Sequence, residues 1–168
     1  MRSIVIGTLF TALPELNAAV LRFNFRGVEA STGAYDEGRG ERDDARTAVQ
    51  LLAATLTPGT PLVLIGWSFG ADMALSVMDP AVTAWVAIAP PLHFVADVGA
   101  LSTDPRRKLL VLAAHDEVRS ADEVAAEAGA WVATDVEVIP GASHFFVGRT
   151  DRLTAVVSAF VAEVSSTS

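Results

Sequence analysis

The chain has 168 residues, 51% of them apolar and 19% charged, and a net charge of −8 from 20 acidic and 12 basic residues. That length suits one domain with a real core, and the composition is too apolar for disorder. Its only basic run is Arg106-Arg107-Lys108, so nucleic acid and an anionic membrane surface are not expected partners, because phosphate recognition needs clustered cations.

Cysteine is absent, which excludes disulfides and thiolate metal sites. The three histidines, His93, His115 and His144, match no H-x-x-x-H ligand pair. Near the N-terminus, Leu9, Phe10, Leu13 and Leu16 have helical spacing and predict a helix; a strand over 3–7 with a short helix from Thr8 is the other reading. The stretch from Arg2 to Phe10, with Asn17-Ala18-Ala19 beyond it, has the outline of a signal peptide. Gly7 and Thr8 interrupt its apolar run and Pro14-Glu15 fall before the cut, so the expected location is the cytoplasm. No uninterrupted apolar stretch approaches the roughly 20 residues of a transmembrane helix.

Residues 18–25, AAVLRFNF, read as a strand, followed by a glycine-rich loop over 26–40. Residues 41–56 read as a helix with Ala45, Val49, Leu52 and Leu56 as its apolar stripe. Glu41, Asp43 and Asp44 crowd its first turn, where the helix dipole favours negative charge, and are read as helix stabilisers and not as a metal site. The run PLVLIG, 61–66, is nearly all apolar, as for a parallel strand buried on both faces. A short helix is predicted over 70–78, stopped at Asp79-Pro80. Strands follow over 84–89, ended by Pro90-Pro91, and over 108–114. Residues 120–131 read as a helix, with Ser120 and Glu123 in capping-box register. A last strand over 135–139, a helix over 150–164 and a polar tail over 165–168 complete the chain. The alternation predicts one α/β domain over 1–168, doubly wound, with a mostly parallel sheet of about five strands. Ligands in such sheets bind beyond the carboxyl ends of the strands, so candidate residues are sought there.

The first candidate is Ser68 in GWSFG. A G-x-S-x-G arises by accident in about one chain of this size in twenty at ordinary glycine usage. Here it lies between a buried strand and a helix, the context a nucleophile elbow requires, with Gly66 and Gly70 sparing the collision of strand and helix. A serine needs a base, and the base an orienting acid. Asp116 lies just past strand 108–114, and His144 just past strand 135–139 in GASHFF. His115 adjoins Asp116, but neighbours in an extended segment point to opposite faces, so His115 is read as structural. Glu117 is the alternative acid. Trp67, Phe69, His93 and Phe145 are candidate pocket walls, with His93 equally at home as a loop residue and the aromatic residues as core.

The segments LRFNFRGV, Ser31-x-Gly33, Gly40-Glu41-x-Asp43-Asp44, GWSFG, Asp116 and GASHFF resemble the small, lidless α/β-hydrolases of bacteria, the dienelactone-hydrolase-like or alpha/beta superfamily hydrolase group. The similarity covers nearly the whole chain. It implies Ser68 as nucleophile, Asp116 as acid and His144 as base, and the Phe69 backbone N–H as one oxyanion donor. It also implies a strand before residues 18–25 whose loop gives the second oxyanion donor. Only residues 1–17 stand before that segment, and their spacing resembles the helix that follows the strand. In the resembled fold this strand lies between those matching 18–25 and 61–66, so those two must pair directly, leave a gap or borrow a strand, an open edge being a swapping hazard. The expectation is a chain that starts further upstream, with a native mass above 17.6 kDa by a few kDa.

The expected function is a serine hydrolase of small carboxylic esters or related acyl compounds, without a cofactor. The short connection between Pro91 and Lys108, where relatives insert a lid, favours small or exposed acyl substrates. The alternative is a catalytically weak or inactive protein of the same fold with an interaction role. A dinucleotide-binding domain is disfavoured, because no G-x-G-x-x-G follows a strand. Substrate identity and oligomeric state are not legible in the sequence.

Overall fold

Four strands take up the apolar runs of the sequence in a computed structural model that describes residues 3–166. Arg2 of the signal-like stretch and residues 167–168 of the polar tail lie outside the described residues. The strands are β1 (Val63–Trp67), β2 (Ala84–Ile88), β3 (Arg107–His115) and β4 (Thr134–Ser143), in the order β1-β2-β3-β4 and parallel throughout. The helices are α1 (Ile4–Ala12), α2 (Arg39–Ala53), α3 (Phe69–Leu75), α4 (Val98–Thr103), α5 (Ala121–Ala128) and α6 (Thr150–Ser166), with a 3₁₀ turn over Leu13–Leu16. The expected doubly wound α/β architecture is present. The short helix α4 was not foreseen: Asp97, whose side chain accepts from the Ala100 N–H at 2.9 Å, is the one local signal for it.

The two-residue alternation of each strand supplies two cores, one on each face of the sheet. Val86, Ile88, Leu109, Val111 and Ala113 pack against Val5, Leu9 and Leu13 of the N-terminal helices and Leu153, Val157 and Phe160 of α6. Trp85, Ala87, Leu110 and Leu112 pack on the other face against Ala45, Val49, Ala71, Leu75 and Val124. Lys108, inside this frame, is fully buried because its ammonium donates to the carbonyls of Asp104, Arg106 and Val132 at 2.7–2.9 Å.

The N-terminus takes the helical reading. Ser3 caps α1 by accepting from the Ile6 N–H at 3.3 Å, and the buried stripe is Val5, Leu9 and Leu13. Leu16, expected in that stripe, is exposed, and Phe10 instead carries the Arg22 guanidinium 4.3 Å above its ring. At α5 the expected capping box forms, Ser120 Oγ accepting from the Glu123 N–H and the Glu123 carboxylate from the Ser120 N–H.

One expected strand is absent. Residues 18–25 form no regular element and pair with no strand, so the sheet has four strands among the described residues, where about five were predicted. The cause lies beside β1. Leu62 accepts from the Thr83 N–H and the Ser68 N–H donates to Ile88, so these residues face β2. By the alternation along a strand, the main-chain groups of Val63, Ile65 and Trp67 face the outer edge, where no strand lies among the described residues. Within this one chain the two segments do not pair directly but leave a gap: a cavity of about 490 Å³ is lined by both β1 and residues 18–25, with Leu9 of α1 and Leu52 of α2 among its walls. Segment 18–25 has an apolar pattern and no ladder to join.

The first turn of α2 is more than a dipole arrangement. Glu41 is buried, and its carboxylate accepts from the N–H groups of Asp36 and Gly38, both at 2.9 Å, closing loop 26–40 onto the helix start. Asp44 accepts from the Arg26 guanidinium at 2.8 Å and from the Arg26 N–H at 2.9 Å. The Arg26 side chain crosses Gly40 so closely that a Cβ there would lie 1.8 Å from its Nη1.

The Arg26 hydrogen bonds hold the Asp44 carboxyl below the usual carboxylate range, against a smaller opposing effect of burial. A carboxyl depressed by folding stabilises the fold above its unfolded pKa, near 4, and that contribution fades as pH falls through the folded value. Asp44→Asn is therefore expected to melt below the parent at pH 7. The gap should close below about pH 4, as read by thermal melts across pH 2.5–7; a gap that stays constant with pH would contradict the assignment.

Candidate active site

Gly66 ends the apolar core of β1, and Phe69 opens α3 two residues past Trp67. The turn between them is so tight that a Cβ on Gly66 would lie 2.1 Å from the Gly70 carbonyl oxygen. Ser68 absorbs the strain with φ 54° and ψ −128°, a region L-residues rarely enter, at a cost of about 1–3 kcal/mol. Main-chain bonds hold it there: its N–H donates to Ile88 of β2 at 2.8 Å, and its carbonyl accepts from the N–H groups of Ala71 at 2.8 Å and Asp72 at 3.3 Å. The two glycines of the motif are not equivalent. A Cβ on Gly70 would meet only Phe25 at 3.8 Å, an ordinary contact, so the expected collision resides at Gly66 alone.

β3 and β4 deliver the other two groups to the same end of the sheet. Their ladder runs from Lys108↔Thr134 to His115↔Ser143, with an irregularity between Ala113 and His115. Asp116 and His144 follow as the next residue of each strand. His144 Nε2 lies 2.8 Å from Ser68 Oγ, and His144 Nδ1 lies 2.9 Å from both carboxylate oxygens of Asp116. The His144 and Asp116 side chains are 4% and 5% exposed, so this pair lies out of water. The Asp116 carboxylate also accepts from the Val118 N–H at 2.9 Å, which fixes its plane.

Three residues pack on or bond to His144, and all three had other expected roles, Glu117 as the alternative acid and Trp67 and Phe145 as pocket walls. Glu117, the alternative acid, does not reach the imidazole; its carboxylate accepts from the His144 main-chain N–H at 3.3 Å. Trp67, expected as a pocket wall, donates its indole N–H to the His144 carbonyl at 3.0 Å, with its ring 5.4 Å from the imidazole. Phe145 packs on both, its ring 5.5 Å from each, and is 52% exposed. Nothing in the sequence marks the Glu117 or Trp67 contacts, because each joins segments far apart in the chain.

His115 is exposed beside Ser143 on the sheet end, apart from the Asp116–His144 pair. His93 is exposed on the loop after β2. That loop is anchored by a residue with no sequence signal, Asp72 of α3. Its buried carboxylate accepts from the N–H groups of Leu92 and Phe94, each at 2.9 Å, and holds Leu92 at φ 59°. Burial pushes the Asp72 carboxyl above its ordinary value, against the lowering effect of those bonds. Phe94 thereby meets Phe69, ring to ring, at 5.2 Å. The gap beside β1 is walled by Gly66, Trp67 and Gly70 but by none of Ser68, Asp116 or His144.

A strained serine joined through an imidazole to a carboxylate, above a parallel sheet and with no lid inserted, defines the class of α/β serine hydrolases in geometry. No family model matches the chain. An α/β serine hydrolase homologue from Coxiella burnetii is 33% identical, covering 95% of this chain and 76% of its own, with a TM-score of 0.85. A lidless α/β serine hydrolase from Xanthomonas campestris is 30% identical over 95% of this chain and 72% of its own, with a TM-score of 0.83. An uncharacterized protein of Rickettsia prowazekii is 28% identical over 99% of this chain and 74% of its own. The chain belongs to the α/β serine hydrolases, among their small lidless members.

The unequal glycines give a direct check on the elbow. Gly66→Ala is expected to destabilise by about 2 kcal/mol or more, because its methyl meets main chain that cannot yield. Gly70→Ala, in the first turn of α3, is expected to stay within about 1 kcal/mol of the parent. Denaturant midpoints of the two variants measure this, and equal losses would refute the close-approach argument.

Proposed function

We propose that the chain hydrolyses small carboxylic esters or related acyl compounds through a Ser68–His144–Asp116 triad and an acyl-enzyme. The observation that carries this reading is the unbroken hydrogen-bond chain from Ser68 Oγ through both ring nitrogens of His144 to Asp116. In this mechanism His144 Nε2 takes the proton of Ser68 as Oγ attacks the carbonyl carbon. Asp116 accepts from Nδ1–H, fixing the tautomer and stabilising the imidazolium. The Phe69 N–H, among the first-turn donors of α3 that no helix carbonyl takes, receives the developing oxyanion. His144 then protonates the leaving alkoxide. Water, deprotonated by the same imidazole, attacks the acyl-enzyme and releases the carboxylic acid and Ser68. No cofactor enters these steps.

The short connection between β2 and β3, with no lid inserted, supports small acyl substrates, with Trp67, His93 and Phe145 as the proposed lining. We place the protein in the cytoplasm; no helix among the described residues is long and apolar enough to cross a membrane. A second reading, a weak or inactive member with an interaction role, is favoured by the gap at the outer edge of β1. It is also favoured by the single oxyanion donor named here, since loss of one such donor costs roughly 10²–10³ in rate.

A fluorophosphonate probe separates the two. The first reading expects Ser68-dependent labelling of the parent that vanishes in Ser68→Ala and in His144→Ala, with ester turnover falling about 10⁴-fold or more in each. A folded parent that takes no label supports the second reading and overturns the first.

A further inference from the structure

The residues before and after Ser68 each head a cluster of rings. Phe69 meets Phe25 at 5.8 Å, Tyr35 at 5.9 Å and Phe94 at 5.2 Å, all tilted or edge-on. Trp67 meets Phe145 at 5.5 Å, and both rings also contact the His144 imidazole. The nucleophile thus stands between two aromatic banks. The outermost ring of each is held in water: Tyr35 is 61% and Phe145 52% exposed.

Neither ring is exposed by default of structure. Tyr35 is carried on loop 26–40, pinned by buried Glu41 through the neighbouring Asp36 and Gly38 N–H groups and by the Arg26–Asp44 pair. Phe145 adjoins His144, whose main chain is held by Glu117 and Trp67. Phe94 is fixed by buried Asp72. Buried carboxylates carry a desolvation cost, and here two of them position rings that the two cores do not use. Rigid exposed rings around a reacting atom mark a site for an apolar ligand. Rings in tilted and edge-on arrays offer faces and edges that complement another ring better than an alkyl group of the same size.

We propose, on the hydrolase reading above, that the site selects esters bearing an aromatic ring close to the carbonyl, on the acyl or the alcohol side. The ring seats between Tyr35 and Phe145, so these two residues set specificity.

The test compares esters matched in size and reactivity. Methyl phenylacetate is set against methyl cyclohexylacetate, and benzyl acetate against cyclohexylmethyl acetate, each kcat/KM being divided by the hydroxide rate. The first pair reads a ring on the acyl side and the second a ring on the alcohol side. A preference of about three- to tenfold for the aromatic member of at least one pair is expected, the size of one ring–ring contact. Tyr35→Leu and Phe145→Leu should bring that ratio toward one, and Tyr35→Phe should keep it. Ratios below twofold in both pairs, or a preference unaltered by both leucine variants, overturn the proposal. The same four esters, titrated onto Ser68→Ala by saturation-transfer NMR, score ring recognition as binding. A parent that cleaves none of them yet binds the aromatic members selectively refutes the hydrolase reading and sustains the aromatic site; equal binding refutes the aromatic site alone.

Discussion

β1 and α3 approach so closely at Gly66 and Gly70 that the main chain between them has one way through, and the rest of the site follows from that passage. With no side chain at Gly66, the Gly70 carbonyl can stand where a Cβ would be, and Ser68 is forced to φ 54°. The strain is local and the support is not. Ser68 donates to β2, and α3 is fixed by Ala71, Met73 and Leu75, all buried. A fold that spends about 1–3 kcal/mol on one residue must over-determine it from several sides. Here the neighbouring strand and a core helix do so, and Oγ projects at the end of the sheet.

The parallel sheet sets the second condition. Because β3 and β4 run in the same direction as β1, the residues that follow them emerge at the same end as Ser68. Asp116 and His144 need then only short turns to meet it. The imidazole is fixed on all sides: both ring nitrogens are engaged, its main-chain N–H is taken by Glu117, its carbonyl by Trp67, and rings cover it. An imidazole held this way has little conformational freedom left to lose, which is the physical content of preorganisation.

Two buried carboxylates do for the loops what the sheet does for Ser68, Asp116 and His144. Glu41 and Asp72 each accept two main-chain N–H bonds from a loop that carries an aromatic residue toward Phe69. Against this order stands the outer edge of β1, where Val63, Ile65 and Trp67 face a cavity of about 490 Å³ instead of a strand. The sheet is therefore well supported on the β2, β3 and β4 side of β1 and open on the other, while Ser68, Asp116 and His144 lie outside that gap.

The sequence by itself determined the elements that rest on local pattern. Apolar runs at 61–66, 84–89 and 108–114 became β1 to β3, because a strand covered on both faces needs continuous apolarity, and the alternating segment 135–139 became part of β4, whose residues are mostly exposed or half-buried. The capping box at Ser120 and Glu123 and the glycines around Ser68 were readable because each acts over a few residues. Ser68, Asp116 and His144 could be named from their positions past strand ends, and the tertiary structure brings them within hydrogen-bond reach. Only that structure decided that residues 18–25 stay out of the sheet, since pairing depends on a neighbour that pattern cannot supply. Only it gave the buried Glu41 a loop to close, Glu117 and Trp67 the main chain of His144, and Asp72 the strained turn at Leu92. Those roles join segments distant in the chain, and a side chain's partner across such a distance is fixed by packing, which composition and periodicity do not encode.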